Sequence, residues 1–265
     1  MTSTAENWTV NPRERGYYKG TPNCLGAMVA AGRHDEVMAL LELAPYKTWH
    51  HRQFGVKALA AQGKIAEAIR YAEEDRGIND GWGEIAQACE DLLLSSGMVD
   101  EAYRRYGVSA SRAGTYVVTF RAVAKKYAHK GVAEILGDLV KTTPGDEGKW
   151  FAAAKEAGLY AEALALASRT PCDPRTLTRA ARDFAEKEPA FAMGAGLLAL
   201  QWLVEGYGYE ITGADVLAAY GATMQVAEKL GAAASVRARI RKMVAAETSG
   251  QRFVTKILGR ELQPG

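Results

Sequence analysis

The side chains of this 265-residue chain that could do chemistry are four histidines, three cysteines and the glycine–lysine step at Gly148-Lys149. None is spaced for it. His34, His50, His51 and His129 form no His-Glu-x-x-His pair and stand at no ligand spacing from a cysteine, the arrangements that hold zinc. Neighbouring His50 and His51 project to different sides of a helix, so they cannot grip one ion together. Cys24, Cys89 and Cys172 are odd in number and far apart. No disulfide framework or Cys-x-x-Cys half-site follows, and they read as buried thiols in a reducing compartment. In Gly145-Asp-Glu-Gly148-Lys149-Trp150 a tryptophan stands where a phosphate loop needs a hydroxyl for magnesium, and no apolar strand feeds the loop. It reads as a turn. Gly81-Trp-Gly83 opens a helix with no strand before it, which argues against a dinucleotide site. No Gly-x-Ser-x-Gly elbow occurs. Carboxylates fall at helix starts and on polar faces, as capping and solubility require. The expectation is a chain with no catalytic residue, no metal ligand and no cofactor.

The elements behind these residues are helical. Hydrophobic residues make up 48% and charged residues 24%, and there are only 8 prolines, the composition of a folded globular helical protein. The formal charge of +2 is too small to imply a polyanion partner for the whole molecule. It is unevenly spread. From residue 232 onward seven Lys/Arg face two Glu, a balance of +5, which leaves −3 for the rest. Arg237, Arg239, Arg241 and Lys242 form the densest part, a candidate basic patch. Residues 1–20 lack the apolar core of a secretory signal. The longest apolar stretch, Ala190 to Val204, falls short of the ~20 residues that cross a bilayer. A soluble, cytoplasmic protein with no membrane partner is expected.

A repeat organises the chain. Four times a glycine is followed four residues later by a glutamate that opens an apolar stretch: Gly32/Glu36, Gly63/Glu67, Gly97/Glu101 and Gly158/Glu162. A degenerate copy with Lys130 in the glycine position leads to Glu134. Aligned on the glutamates, the intervals are 31, 34, 33 and 28 residues, a period of stacked helical hairpins. Glycine suits the left-handed residue that ends a helix, and the glutamate meets the positive end of the next helix dipole. The small residue that follows (Ala68, Ala102, Ala163) lets two helices approach closely. Hairpins are expected at about 20–44, 47–76, 82–107, 111–141, 147–169, 174–206 and 212–248, with a short helix near 251–260. Tyr116-Val-Val-Thr-Phe120 has strand propensity. Tyr116, Phe120, Val123 and Tyr127 nevertheless form one helical stripe, which predicts helix. Beyond residue 170 the repeat lengthens and loses its turn motif, and the helix after Glu188-Pro189 is apolar nearly all round, the mark of a buried helix. The expected organisation is an extension over 1–19, repeats over 20–170, and hairpins over 171–265 closing the array. Gly194 and Gly196 read as close helix packing.

The Gly-x-x-x-Glu-Ala core resembles the inter-helix turn and second helix of tetratricopeptide repeats. Gly63/Ala68, Gly97/Ala102 and Gly158/Ala163 carry the small-residue spacing, and Tyr106 the aromatic four residues further on. The resemblance covers roughly residues 20 to 170. It departs in the first helix, where the Trp-x-x-Leu-Gly-x-x-Tyr pattern is missing. It implies an all-α fold, a right-handed superhelix (an α-solenoid) of about seven antiparallel helical hairpins. The segments Ala181–Phe191 and Gly206–Val216 also resemble an uncharacterised bacterial family, a likeness that implies no activity. By the tetratricopeptide resemblance, first-helix residues line a concave groove: His50, Gln53 and Lys57 in one repeat, Glu84, Gln87 and Asp91 in the next. The expected function is a non-catalytic scaffold that binds another protein or peptide there. The alternatives are nucleic-acid binding through the basic C-terminal helix, which the acidic body disfavours, and an unrecognised enzyme whose acids converge from distant repeats.

Overall fold

The computed structural model describes residues 8, 19–44, 47–74, 81–248 and 252–263, and among them helix is the one kind of regular structure. Of the extension expected over 1–19, Trp8 and Lys19 alone lie among the described residues. The chain divides into two compact units, Met1–Arg112 and Ala113–Gly265. The change of repeat character near residue 170 therefore falls inside the second unit. No described helix is long and apolar enough to cross a membrane.

The first unit comprises α1 (Thr21–Ala30), α2 (His34–Glu42), α3 (Trp49–Ala61), α4 (Ile65–Glu73), α5 (Trp82–Ser95) and α6 (Val99–Ala102). The chain of α6 runs on through a π-helical segment, Tyr103–Gly107, into Val108–Ala110. The second unit comprises α7 (Tyr116–Lys126), α8 (Val132–Lys141), a 3₁₀ turn (Glu147–Trp150) leading into α9 (Phe151–Glu156), α10 (Tyr160–Arg169), α11 (Pro174–Asp183), α12 (Pro189–Val204), α13 (Gly213–Lys229), α14 (Ala233–Ala245) and α15 (Phe253–Leu258).

One turn geometry recurs. Gly97 follows α5 with φ +76°. Its amide donates to the Leu94 carbonyl at 3.0 Å, and the Met98 amide reaches back to Leu93 at 2.8 Å. These are the paired bonds of a Schellman motif, which satisfy carbonyls that a helix end leaves open. An L side chain is disfavoured in this conformation by about 1–2 kcal/mol. The same pair of bonds with positive φ occurs at Gly32, Gly63 and Gly158, and also at Gly206 and Gly231. The expectation that the turn disappears beyond residue 170 is thus corrected. The turn needs only its glycine, and the glutamate serves the following helix. Where lysine replaces glycine the route changes: α7 closes at Tyr127, and Gly131 enters α8 at φ −66°.

Glu36, Glu67, Glu101, Glu134 and Glu162 are each the third residue of a helix, inside the turn where the dipole favours negative charge. The next residue (Val37, Ala68, Ala102, Ile135 or Ala163) is fully or almost fully buried. In the first unit α3 packs on α1, α2, α4 and α5. Trp8 joins Leu25, Val37, Leu41, Ala44 and Ala58 in one core cluster. Polar clamps tie successive helices. The Arg52 guanidinium donates to the Tyr71 and Glu74 carbonyls. The Tyr106 hydroxyl and Arg105, both on the π-helical segment, donate to opposite oxygens of Glu73 at 2.7 and 3.0 Å.

In the second unit Tyr116–Phe120 is helical. Thr115 caps α7 by accepting from the Val118 amide at 3.3 Å, and Phe120, Val123 and Tyr127 are buried. Burial on one face outweighs β-propensity here. The apolar α12 touches α10, α11, α13, α14 and α15. Its glycines allow two of these approaches: a Cβ on Gly196 would lie 2.2 Å from Thr223 Oγ1 on α13, and one on Gly194 2.7 Å from Leu164 Cδ1 on α10. Gly148, in the loop read as a turn, is close-packed too, since its Cβ would lie 2.3 Å from the Thr170 carbonyl. Asp173 caps α11, and Thr212 and Asp215 form a reciprocal capping box on α13. The buried Glu247 accepts from the Val254 and Thr255 amides at 3.0 and 2.7 Å, which fastens α15 to the end of α14.

Two kinds of glycine can be separated by thermal melting. A Cβ at Gly97 meets no atom within 4 Å, so Gly97→Val should lose about 1 kcal/mol or somewhat more, chiefly from backbone strain. Gly196→Val must displace α13 and should lose roughly 1–3 kcal/mol or more. Gly131→Ala, at negative φ in open space, should stay within about 0.5 kcal/mol.

Candidate functional site

A cavity of about 510 Å³ opens between α3 and α5 in the first unit. Trp49, Gln53, Val56, Lys57 and Ala60 line it from α3, and Glu84, Gln87, Ala88, Asp91 and Leu92 from α5. Each set recurs every three or four residues, the spacing that keeps side chains on one face of a helix. Trp49 and Val56 are buried, while Ala60, Ala88 and Leu92 are half-buried. Together they make an apolar floor. Lys57, Glu84, Gln87 and Asp91 are exposed and Gln53 partly so, which gives a polar rim. The Lys57 ammonium sits 5.2 Å from the centre of the Phe54 ring.

Five of the six residues proposed for a groove meet here: Gln53, Lys57, Glu84, Gln87 and Asp91. His50 does not line the cavity. Its ring packs against His51 with centroids 5.3 Å apart, and its carbonyl accepts from Gln53 Nε2 at 3.2 Å. The floor was missed by reading polar residues only. Extending the same helical faces by three or four positions would have named Trp49, Val56, Ala60, Ala88 and Leu92.

Two further cavities are more self-satisfied. One of about 440 Å³ lies over Ile65, Ile69, Leu93 and the 42% exposed Met98, and is edged by Glu73, Glu101 and Arg105. Both Glu73 oxygens there are engaged by Tyr106 and Arg105. The other, about 430 Å³ in the second unit, holds Arg175, Arg179, Leu203 and the 79% exposed Tyr209. Arg175 is gripped by Asp215 at 2.8 and 2.9 Å and by the Glu210 carbonyl at 2.8 Å. Arg175, and then the Thr212 bonds, hold the Asp215 carboxyl well below the usual carboxylate range.

The basic patch falls on α14, with Arg237, Arg239, Arg241 and Lys242 all exposed. Val236, Ile240 and Val244 take the buried face. At about 100° per residue, Arg237 and Arg241 emerge on one flank of that face and Arg239 and Lys242 on the other. Arg241 also donates to the Leu262 carbonyl at 3.0 Å. The four cations are therefore divided rather than gathered into one surface.

Among the described residues no three His, Cys, Asp or Glu side chains gather where a metal ion could sit. The three cysteines are free thiols. Burial pushes Cys89 up to about 11 and Cys172 up to about 12, so at neutral pH neither supplies the thiolate that acts as a nucleophile.

The chain matches none of the protein-family models, curated proteins or solved structures with which it was compared.

A thiol-reactive dye at neutral pH should label the half-buried Cys24 readily and Cys89 and Cys172 only after unfolding. Fast labelling of either buried thiol in folded protein would contradict their placement. The depressed Asp215 contributes stability that is present above the ordinary carboxylate range and is lost as pH falls through and below about 4. Asp215→Asn should accordingly lower the melting temperature at pH 7 and narrow the gap from wild type in strong acid.

Proposed function

We propose that the chain is a tetratricopeptide-like array of helical hairpins whose first unit binds a segment of another protein, without catalysing a reaction, in the groove between α3 and α5. The observation that carries this reading is the cavity itself. It has an apolar floor, a rim of exposed polar side chains, and a volume inside the ~300–1,000 Å³ typical of ligand sites. The turns at Gly32, Gly63, Gly97, Gly158 and Gly231, each with the same hydrogen bonds and with the next helix starting two residues on, support the hairpin reading. In the first unit α3 packs on both α1 and α5, so first helices follow one another along one side. Free thiols fit a reducing compartment, and the proposal sets the protein in the cytoplasm. The divided cations of α14 favour a peptide in this groove over nucleic acid, which clustered cations would serve better.

Peptides selected from a random library against the full chain test it. Ala88→Trp, at a half-buried lining position, should weaken the selected peptides by about tenfold or more by filling the floor. Arg179→Ala, in the second unit, should leave them unchanged. Equal binding to wild type and Ala88→Trp would remove the groove as the site.

A further inference from the structure

The rim of this groove is asymmetric, and its asymmetry names a class of partner. On the α5 side stand Glu84, Gln87 and Asp91, and on the α3 side Gln53 and Lys57. Glu84 and Asp91 are seven residues apart on one helix, two turns, so their carboxylates recur about 10.5 Å apart along one wall. The opposite wall carries an ammonium in place of a carboxylate. We propose, resting on the reading of the groove as a peptide site, that its occupant is an amphipathic helix with an apolar stripe on the floor and two cations seven residues apart against Glu84 and Asp91.

Two physical points select a helix over an extended segment. In an extended chain, at 3.3 Å per residue, about 10 Å is three residues, an odd number that sends the two side chains to opposite faces. In a helix, residues seven apart return to the same face at the matching distance. The floor is also built from side chains of helices whose backbone groups are bonded internally. It therefore offers no sheet edge to the N–H and C=O groups of an extended strand. Over Val56, Ala88 and Leu92 such groups would be left unpaired, whereas a helix arrives with them already bonded. Lys57 fixes the orientation, since a cation facing α3 would meet a like charge.

The test uses three helix-stapled, fluorescent 15-residue peptides that share one leucine stripe. One carries two lysines seven residues apart beside the stripe, the second two glutamates there, and the third the same lysines moved to the far face. Anisotropy with the full chain at low salt should show the first binding about three- to tenfold more tightly than either other, the scale of two exposed ion pairs. The advantage should shrink as salt is raised. Glu84→Gln with Asp91→Asn, both at exposed positions, should abolish the preference while the leucine stripe still binds. Lys57→Glu should increase the affinity of the lysine peptide. Equal affinities on wild type, or a preference that survives the double substitution, would overturn the cationic-helix assignment and leave the groove in place. Failure of all three peptides, together with failure of the library selection, would remove the groove as well.

Discussion

A helix of nine residues, such as α2 or α4, is too short to hold itself together in water. Its apolar face must be covered by a neighbour brought close and kept in register. The device that does this is the junction of a left-handed glycine with a small or aliphatic residue at the start of the next helix. The glycine closes the carbonyls of one helix and reverses the chain within three residues. The glutamate meets the dipole of the next helix, and the buried Val37, Ala68, Ala102, Ile135 or Ala163 sets how near the pair can come. Polar clamps such as Glu73 with Tyr106 and Arg105 then tie one hairpin to the next.

The groove is a by-product of the same constraint. The helices α3 and α5 touch but leave the faces of Gln53, Lys57, Glu84, Gln87 and Asp91 incompletely covered. The gap between α3 and α5 keeps an apolar floor because Trp49 and Val56 already belong to the buried core. Its rim is polar because the outward turns of both helices face water.

Much of this was legible from residue order. The helix over Tyr116–Lys126 was readable because its stripe of Tyr116, Phe120, Val123 and Tyr127 outweighs the strand propensity of five residues. Five of the residues expected in a groove from the tetratricopeptide resemblance line the cavity between α3 and α5, and helical spacing keeps each helix's share on one face. His50, expected beside them, is not among the lining residues. The turns at Gly206 and Gly231 went unseen because the glutamate was treated as part of the turn, though it acts on a different helix. The π-helical segment Tyr103–Gly107 leaves no sequence signal of that kind. The wider turn accompanies the burial of Tyr103, Tyr106 and Gly107.

Residue order by itself determined the helices, their reversals and the face each one buries, because those depend on backbone conformation and on spacing within a few residues. Tertiary structure alone decided which faces meet. It showed that Gly194 packs against Leu164 and Gly196 against Thr223, and that one cavity joins the α3 face carrying Lys57 to the α5 face carrying Glu84 and Asp91. Those outcomes depend on distances between residues remote in sequence, and local periodicity carries no information about them.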